Sequence, residues 1–151
     1  MTLDGQTLAT SRQPVTIQPN TSAKIDTVSF ADALARSGAR SLLIWLALEA
    51  DGAVVSENLV LFARPKHLAL PDPQIGVEIA AQSDQRFEIT LTGQQPALFV
   101  WVEADGAVIS DNFFHLPPQQ PKRLTITTAQ PTSAEALREK MHVRSLVDTY
   151  R

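Results

Sequence analysis

The chain contains no cysteine, so it forms no disulfide, holds no metal through thiolate and offers no thiol nucleophile. It carries no excess of positive charge: 13 Lys and Arg stand against 16 Asp and Glu, a formal net charge of −3. Attraction to phosphate backbones or anionic bilayers is therefore not expected, and no nucleic-acid or membrane partner is assigned. Long apolar runs are missing too. The most apolar stretch, Leu42–Leu48, has seven residues, against the roughly 20 that a helix needs to cross a bilayer. The residues Met1 to Gln6 lack a basic segment followed by an apolar one, which favours a cytoplasmic location; an address label upstream of this chain would not be visible in it. The common catalytic signatures are also absent, among them a Gly-rich phosphate loop, a Gly-x-Ser-x-Gly elbow and a His-Glu-x-x-His helix.

What is present suits a folded β protein. With 151 residues, 44% of them apolar, the chain is long enough to bury a core in one or two small domains. Ten prolines fall in the joints between apolar runs, a spacing that breaks long helices and suits short strands. Nine runs rich in β-branched and aromatic residues are expected as strands: Val15–Ile17, Lys24–Phe30, Ser41–Glu49, Val54–Phe62, Ile75–Ala80, Phe87–Thr92, Ala97–Glu103, Val108–Leu116 and Arg123–Thr127.

One repeat organises the sequence. Leu48-Glu-Ala-Asp-Gly-Ala-Val-Val-Ser-Glu-Asn58 aligns without a gap on Val102-Glu-Ala-Asp-Gly-Ala-Val-Ile-Ser-Asp-Asn112, 54 residues later, with only conservative exchanges. In both copies Asp-Gly lies between apolar runs, the pattern of a type I′ hairpin tip, whose two central residues need positive φ. Asp51-Gly52 and Asp105-Gly106 are thus expected as hairpin tips, and Asp4-Gly5 as a third whose first strand would precede Met1. The repeat length points to two β units joined end to end, with a Pro-stiffened connector from Arg64 to Pro73. Two short helices are expected besides. One follows Ser29 and ends at Gly38; the other opens on a Thr132/Glu135 capping box and continues through Ala134, Leu137 and Met141 to about His142. Beyond it, Val143, Leu146, Val147 and Tyr150 form a second apolar set, out of phase with the first and expected to bend and pack against something, whether inside this chain or not.

Candidate sites are few. Glu49 with Asp51, and Glu103 with Asp105, share exposed turns with no apolar pocket to separate their pKa values, so they do not make a glycosidase acid and nucleophile. His67, His115 and His142 lie in separate segments, and the Glu139-x-x-His142 spacing finds no further ligands; neither a metal site nor a cofactor is expected. Asn20-Thr21-Ser22 matches a glycosylation sequon, but Pro-Asn-Thr-Ser also reads as a plain turn. Trp45 and Trp101 sit at the same parity before their Asp-Gly pairs, on equivalent faces of their hairpins. Each is read chiefly as core, with stacking on a sugar as the alternative. Phe113 and Phe114 point to opposite faces, so at least one is expected at the surface. Trp45, Trp101, Phe113 and Phe114 are the candidate sugar-stacking residues.

The stretch Ser56-Glu-Asn-Leu-Val-Leu-Phe62, with Pro65-Lys66 and Leu68-Ala-Leu-Pro-Asp-Pro73, resembles the junction between the last two immunoglobulin-like domains of the β-mannosidases of glycoside hydrolase family 2. So do Phe99-Val-Trp-Val-Glu103, Ser110-Asp-Asn-Phe-Phe-His-Leu116 and Pro121-Lys122, while Val143-Arg-Ser-Leu-Val-Asp-Thr-Tyr150 is similar to the ending of bacterial members. The resemblance implies an all-β fold of two tandem immunoglobulin-like β-sandwich units, the first incomplete, with a short C-terminal helix. The units would span 1–66 and 67–127, with a helical tail over 128–151. It further implies a parent enzyme, a retaining hydrolase of terminal β-D-mannosyl residues, whose catalytic (β/α)₈ barrel holds both catalytic glutamates and is not in this chain. No catalytic residue is therefore assigned here. The implied partners are that barrel and the N-terminal domains of the parent, with a homodimer through an open sheet edge as a further expectation. The alternatives are a separate carbohydrate-binding module and a protein-interaction sandwich of adhesion or chaperone type.

Overall fold

The computed structural model describes residues 1–150 and shows an all-β architecture with two short helices. Helix α1 (Ala31–Ser37) ends at Gly38, whose φ of +77° suits glycine. Strands β1 (Leu43–Ala50) and β2 (Ala53–Leu61) form a two-stranded antiparallel ribbon. A single 3₁₀ turn, Pro65–His67, leads into the second unit. There, β3 (Gly76–Ala81), β4 (Arg86–Thr92), β8 (Lys122–Thr128) and β6 (Ala107–Ile109) make one sheet in the order β3-β4-β8-β6. The facing sheet has the order β7-β5-β9, from β7 (Phe114–Leu116), β5 (Ala97–Ala104) and β9 (Met141–Arg144), with helix α2 (Ala134–Lys140) preceding β9.

Alternation builds the core of this sandwich. Phe87, Ile89 and Leu91 of β4 and Leu124 and Ile126 of β8 point inward, against Val100, Val102 and Ala104 of β5, Leu116 and Leu137. A second cluster joins the two units. Leu3, Leu43, Leu68 and Leu98 are buried together, with Trp45, Leu59, Leu61 and Leu146 packed around them. Leu98 and Leu146 reach this cluster from the second unit, so the two units share an apolar contact around the connector.

The structure departs from the sequence expectations in several places. Val15–Ile17 and Lys24–Phe30 form no strand; Val15, Ile17, Ile25 and Val28 stay exposed, since a strand is stable only with a ladder partner and an apolar face to cover. Asp4-Gly5 makes a tight turn, closed by Thr2 N–H donating to the Gln6 carbonyl, without a strand after it. The expected strand Val108–Leu116 divides into β6 and β7, which belong to different sheets. Asp105-Gly106 is accordingly a turn between sheets and not a hairpin tip, whereas Asp51-Gly52 is the hairpin tip expected, with φ of +51° and +78°.

The C-terminal segment differs as well. Helix α2 is capped by Ser133, whose hydroxyl accepts from Ala136 N–H at 3.1 Å, and not by Thr132. It stops at Lys140, so only seven residues of the tail expected as helical over 128–151 form an α-helix. Met141–Arg144 pairs with β5, and Leu146–Tyr150 forms a 3₁₀ turn. The tail packs within this chain: Tyr150 Oη donates to the Pro65 carbonyl at 2.6 Å, pinning the end of the chain to the connector.

Candidate functional site

The outward face of the β7-β5-β9 sheet carries a cluster of aromatic side chains, Phe99, Trp101 and Phe113. Its geometry begins with a bulge in β5: Ala97 pairs with Leu116 and Val100 with Phe114, so Leu98 and Phe99 together oppose His115. Phe99 adopts φ +51°, a left-handed conformation that costs a non-glycine residue about 1–2 kcal/mol. Its N–H donates to His115 Nδ1 at 3.2 Å and its ring meets the His115 ring edge-on at 4.7 Å. Nδ1 is therefore the acceptor and the neutral ring carries its proton on Nε2. Burial pushes the His115 pKa below its ordinary value. Across the unit junction, Trp45 meets the other side of this cluster, edge to His115 at 6.1 Å, and its indole Nε1 is buried with no hydrogen-bond partner among the described residues.

Farther along β5, Trp101 is stacked by Phe113 at 6.0 Å with 12° between the rings, and the Arg144 guanidinium lies 5.9 Å from the Trp101 ring. Arg144 is delivered by β9, directly opposite Trp101. The Phe113 loop is held by Asn112, whose side chain accepts from Val102 N–H and donates to the Val102 carbonyl, both at 2.8 Å. Nearby, Asp111 pairs with Lys122 at 2.9 Å. Phe113 sits at φ +60° with 65% of its surface exposed.

The four candidate stacking residues thus have different environments. Trp45 is wedged between the units, Trp101 is covered by Phe113, and Phe114 packs against the core with Lys122 Nζ 5.2 Å from its ring. Phe113 alone of the four is largely exposed. Sequence reasoning passed over Phe99, Asn112, His115 and Arg144 as partners of these rings. For Arg144, the alternation Met141, His142, Val143, Arg144 is the signal, masked by the helical spacing of Ala134, Leu137 and Met141.

The carboxylates the sequence offers are dispersed among the described residues. Glu49 is paired with Arg12, and Asp51 lies at a solvent-exposed tip. Glu135 and Glu139 share a depression with Ile79 and Arg138 on α2, but Glu135 is held below the usual carboxylate range by hydrogen bonds from its own backbone N–H and the Ser133 hydroxyl. That is the wrong direction for a general acid. Among the described residues, no three or more His, Asp or Glu side chains converge to hold a metal ion. His142 lies on β9, not on α2, so the Glu139/His142 spacing does not fall on one helix. No helix among the described residues is long and apolar enough to cross a membrane.

Comparison with known proteins gives this fold its family. The sequence pattern of the mannosidase Ig-fold domain matches residues 70–149, more than half of the chain. The chain belongs to the mannosidase Ig-fold family. A second pattern, the mannosidase Ig/CBM-like domain, matches residues 1–67 ahead of the mannosidase Ig-fold. Among solved structures, the β-D-mannosidase of Dictyoglomus thermophilum superposes with a TM-score of 0.62 at 16% identity, over 71% of this chain and 13% of that one. The chain therefore spans a small part of that enzyme's length. No curated protein matches it. The chain carries immunoglobulin-like accessory domains of the kind found in the C-terminal region of mannosidases.

Proposed function

We propose that this chain is a non-catalytic accessory region working beside the barrel of a β-mannosidase that removes terminal β-D-mannosyl residues. The observation that supports the reading most directly is the order of the two matched domains, mannosidase Ig/CBM-like then mannosidase Ig-fold, on an architecture that gathers no acid and nucleophile pair. Its physical task is to brace: the shared Leu3, Leu43, Leu68 and Leu98 cluster and the Tyr150 bond to Pro65 make the two units one stiff body against which a barrel and N-terminal domains can rest. Removing from the Dictyoglomus enzyme the segment that superposes on this chain tests the role. The expected result is a lower Tm and faster thermal inactivation with the cleavage chemistry retained; an enzyme of unchanged Tm and half-life would contradict it.

A second reading, sugar stacking, is favoured by one observation, the exposure of Phe113 on a rigidly held loop. Titration with manno-oligosaccharides, followed by Trp101 fluorescence, tests it. A saturable change that Phe113→Ala abolishes supports binding, and a flat response removes it.

A further inference from the structure

His115 stands where the two units meet, and one lone pair ties it to both. Its Nδ1 accepts the Phe99 N–H at 3.2 Å, its ring meets the Phe99 ring at 4.7 Å, and Trp45 of the first unit lies against it at 6.1 Å. The Phe99 bond holds the bulge that sends Leu98 into the cluster with Leu3, Leu43 and Leu68, while Val100 enters the core of the second unit. Phe99 reaches this position only at φ +51°, a conformation that a residue with a Cβ keeps only while its surroundings enforce it. The polarity of the neighbours is one-sided. Phe99 offers Nδ1 a donor, and the Trp45 indole has only a donor to give. An imidazolium donates from both nitrogens, so a proton on Nδ1 sets N–H against N–H.

We propose that His115 is an acid-released latch between the units: a proton taken from solvent at Nδ1 ends the Phe99 bond, the bulge relaxes, and Leu98 withdraws from the shared cluster. The titratable and charged groups on the surrounding elements are Glu57 of β2, on the face that carries Trp45 and Leu59; Glu103 of β5; and His142 and Arg144 of β9. Asp148 of the last turn is held by the Ser145 N–H and hydroxyl, and Lys122 of β8 is paired with Asp111 beside Phe114. Among the described residues none of these lies within ion-pair distance of His115, so no carboxylate compensates an imidazolium inside the closed junction. Burial acts in the same direction, holding the His115 pKa below 6.5. Opening therefore grows as pH falls below that value, by at most about tenfold per pH unit for one proton. This inference rests on the junction alone and stands apart from the mannosidase reading.

Acidification of the full chain from about pH 8 to about pH 5 tests it, in a Trp101→Phe background that leaves Trp45 as the one indole. The expected result is rising acrylamide quenching of Trp45 and falling protection of the Phe99 amide against exchange, with the β signal in circular dichroism retained. His115→Asn, whose Oδ1 takes the place of Nδ1 as acceptor and does not titrate, should hold both readings flat. Should that variant fail to fold, heteronuclear NMR of the wild-type imidazole takes its place: ring protonation and the loss of Phe99 protection should share one midpoint. A Trp45 that stays shielded across the range, or is exposed only as the β signal collapses, would overturn the latch. So would opening that proceeds alike in His115→Asn, or a Phe99 midpoint separate from that of the imidazole.

Discussion

Leu98 and Val100 lie two residues apart on one strand and enter different cores, because the bulge at Phe99 turns the chain over between them. Nothing in Ala97-Leu-Phe-Val-Trp101 marks that reversal, since five apolar residues in a row leave the facing pattern undetermined. The bulge is written in tertiary contacts, namely the Phe99 N–H bond to His115 and the Leu98 socket between the units. Leu98→Ala empties that socket and should lower stability by about 2–5 kcal/mol in urea titration. His115 adds a pH dependence. Its native pKa is depressed by burial below the 6.5 of a free imidazole, so the unfolded chain takes up a proton first as pH falls. Stability is therefore fully present above about pH 6.5 and declines as pH drops toward the native pKa. Urea midpoints between pH 8 and 5 should fall in the wild type and fall less steeply in His115→Gln.

At the scale of elements, the repeat shows how much one sequence leaves to context. The first copy stays paired as β1–β2 from Leu43↔Leu61 to Ala50↔Ala53, with one register shift after Leu48, and among the described residues no other strand pairs with β2. In the second copy β8 draws β6 away into the opposite sheet, β9 takes one edge of β5, and the Asn112 side chain satisfies the Val102 backbone groups that the departing strand leaves behind. Asp-Gly signals a reversal in both, and both reverse; whether the reversal closes a hairpin depends on strands far away in sequence. The equivalent asparagines should therefore differ in worth. Asn112→Ala leaves two backbone groups unpaired and should cost about 2 kcal/mol. Asn58→Ala, which loses a single exposed bond to Leu59 N–H, should stay within about 0.5 kcal/mol. Chemical denaturation of the two variants side by side checks this. Both helices were legible as elements, and Gly38 marked the end of α1, but the caps at Phe30 and Ser133 lie one residue beyond the expected Ser29 and Thr132; β9 was hidden because its reason to be a strand is the edge of β5.

For the molecule as a whole, the β architecture was legible in proline spacing and in the runs of β-branched residues between them, since these depend on local turn chemistry. The arrangement of the aromatic face was not, because it depends on which strand reaches which edge. Seen whole, the chain is two β units locked through a leucine cluster, with Phe99, Trp101 and Phe113 on one sheet face and, among the described residues, no acid and nucleophile brought together. The most direct measurement of that account is incubation of this chain, purified free of host glycosidases, with a chromogenic β-mannoside. The account predicts no chromophore release above the buffer rate at any pH. Steady turnover that co-purifies with the chain and scales with its concentration would contradict it.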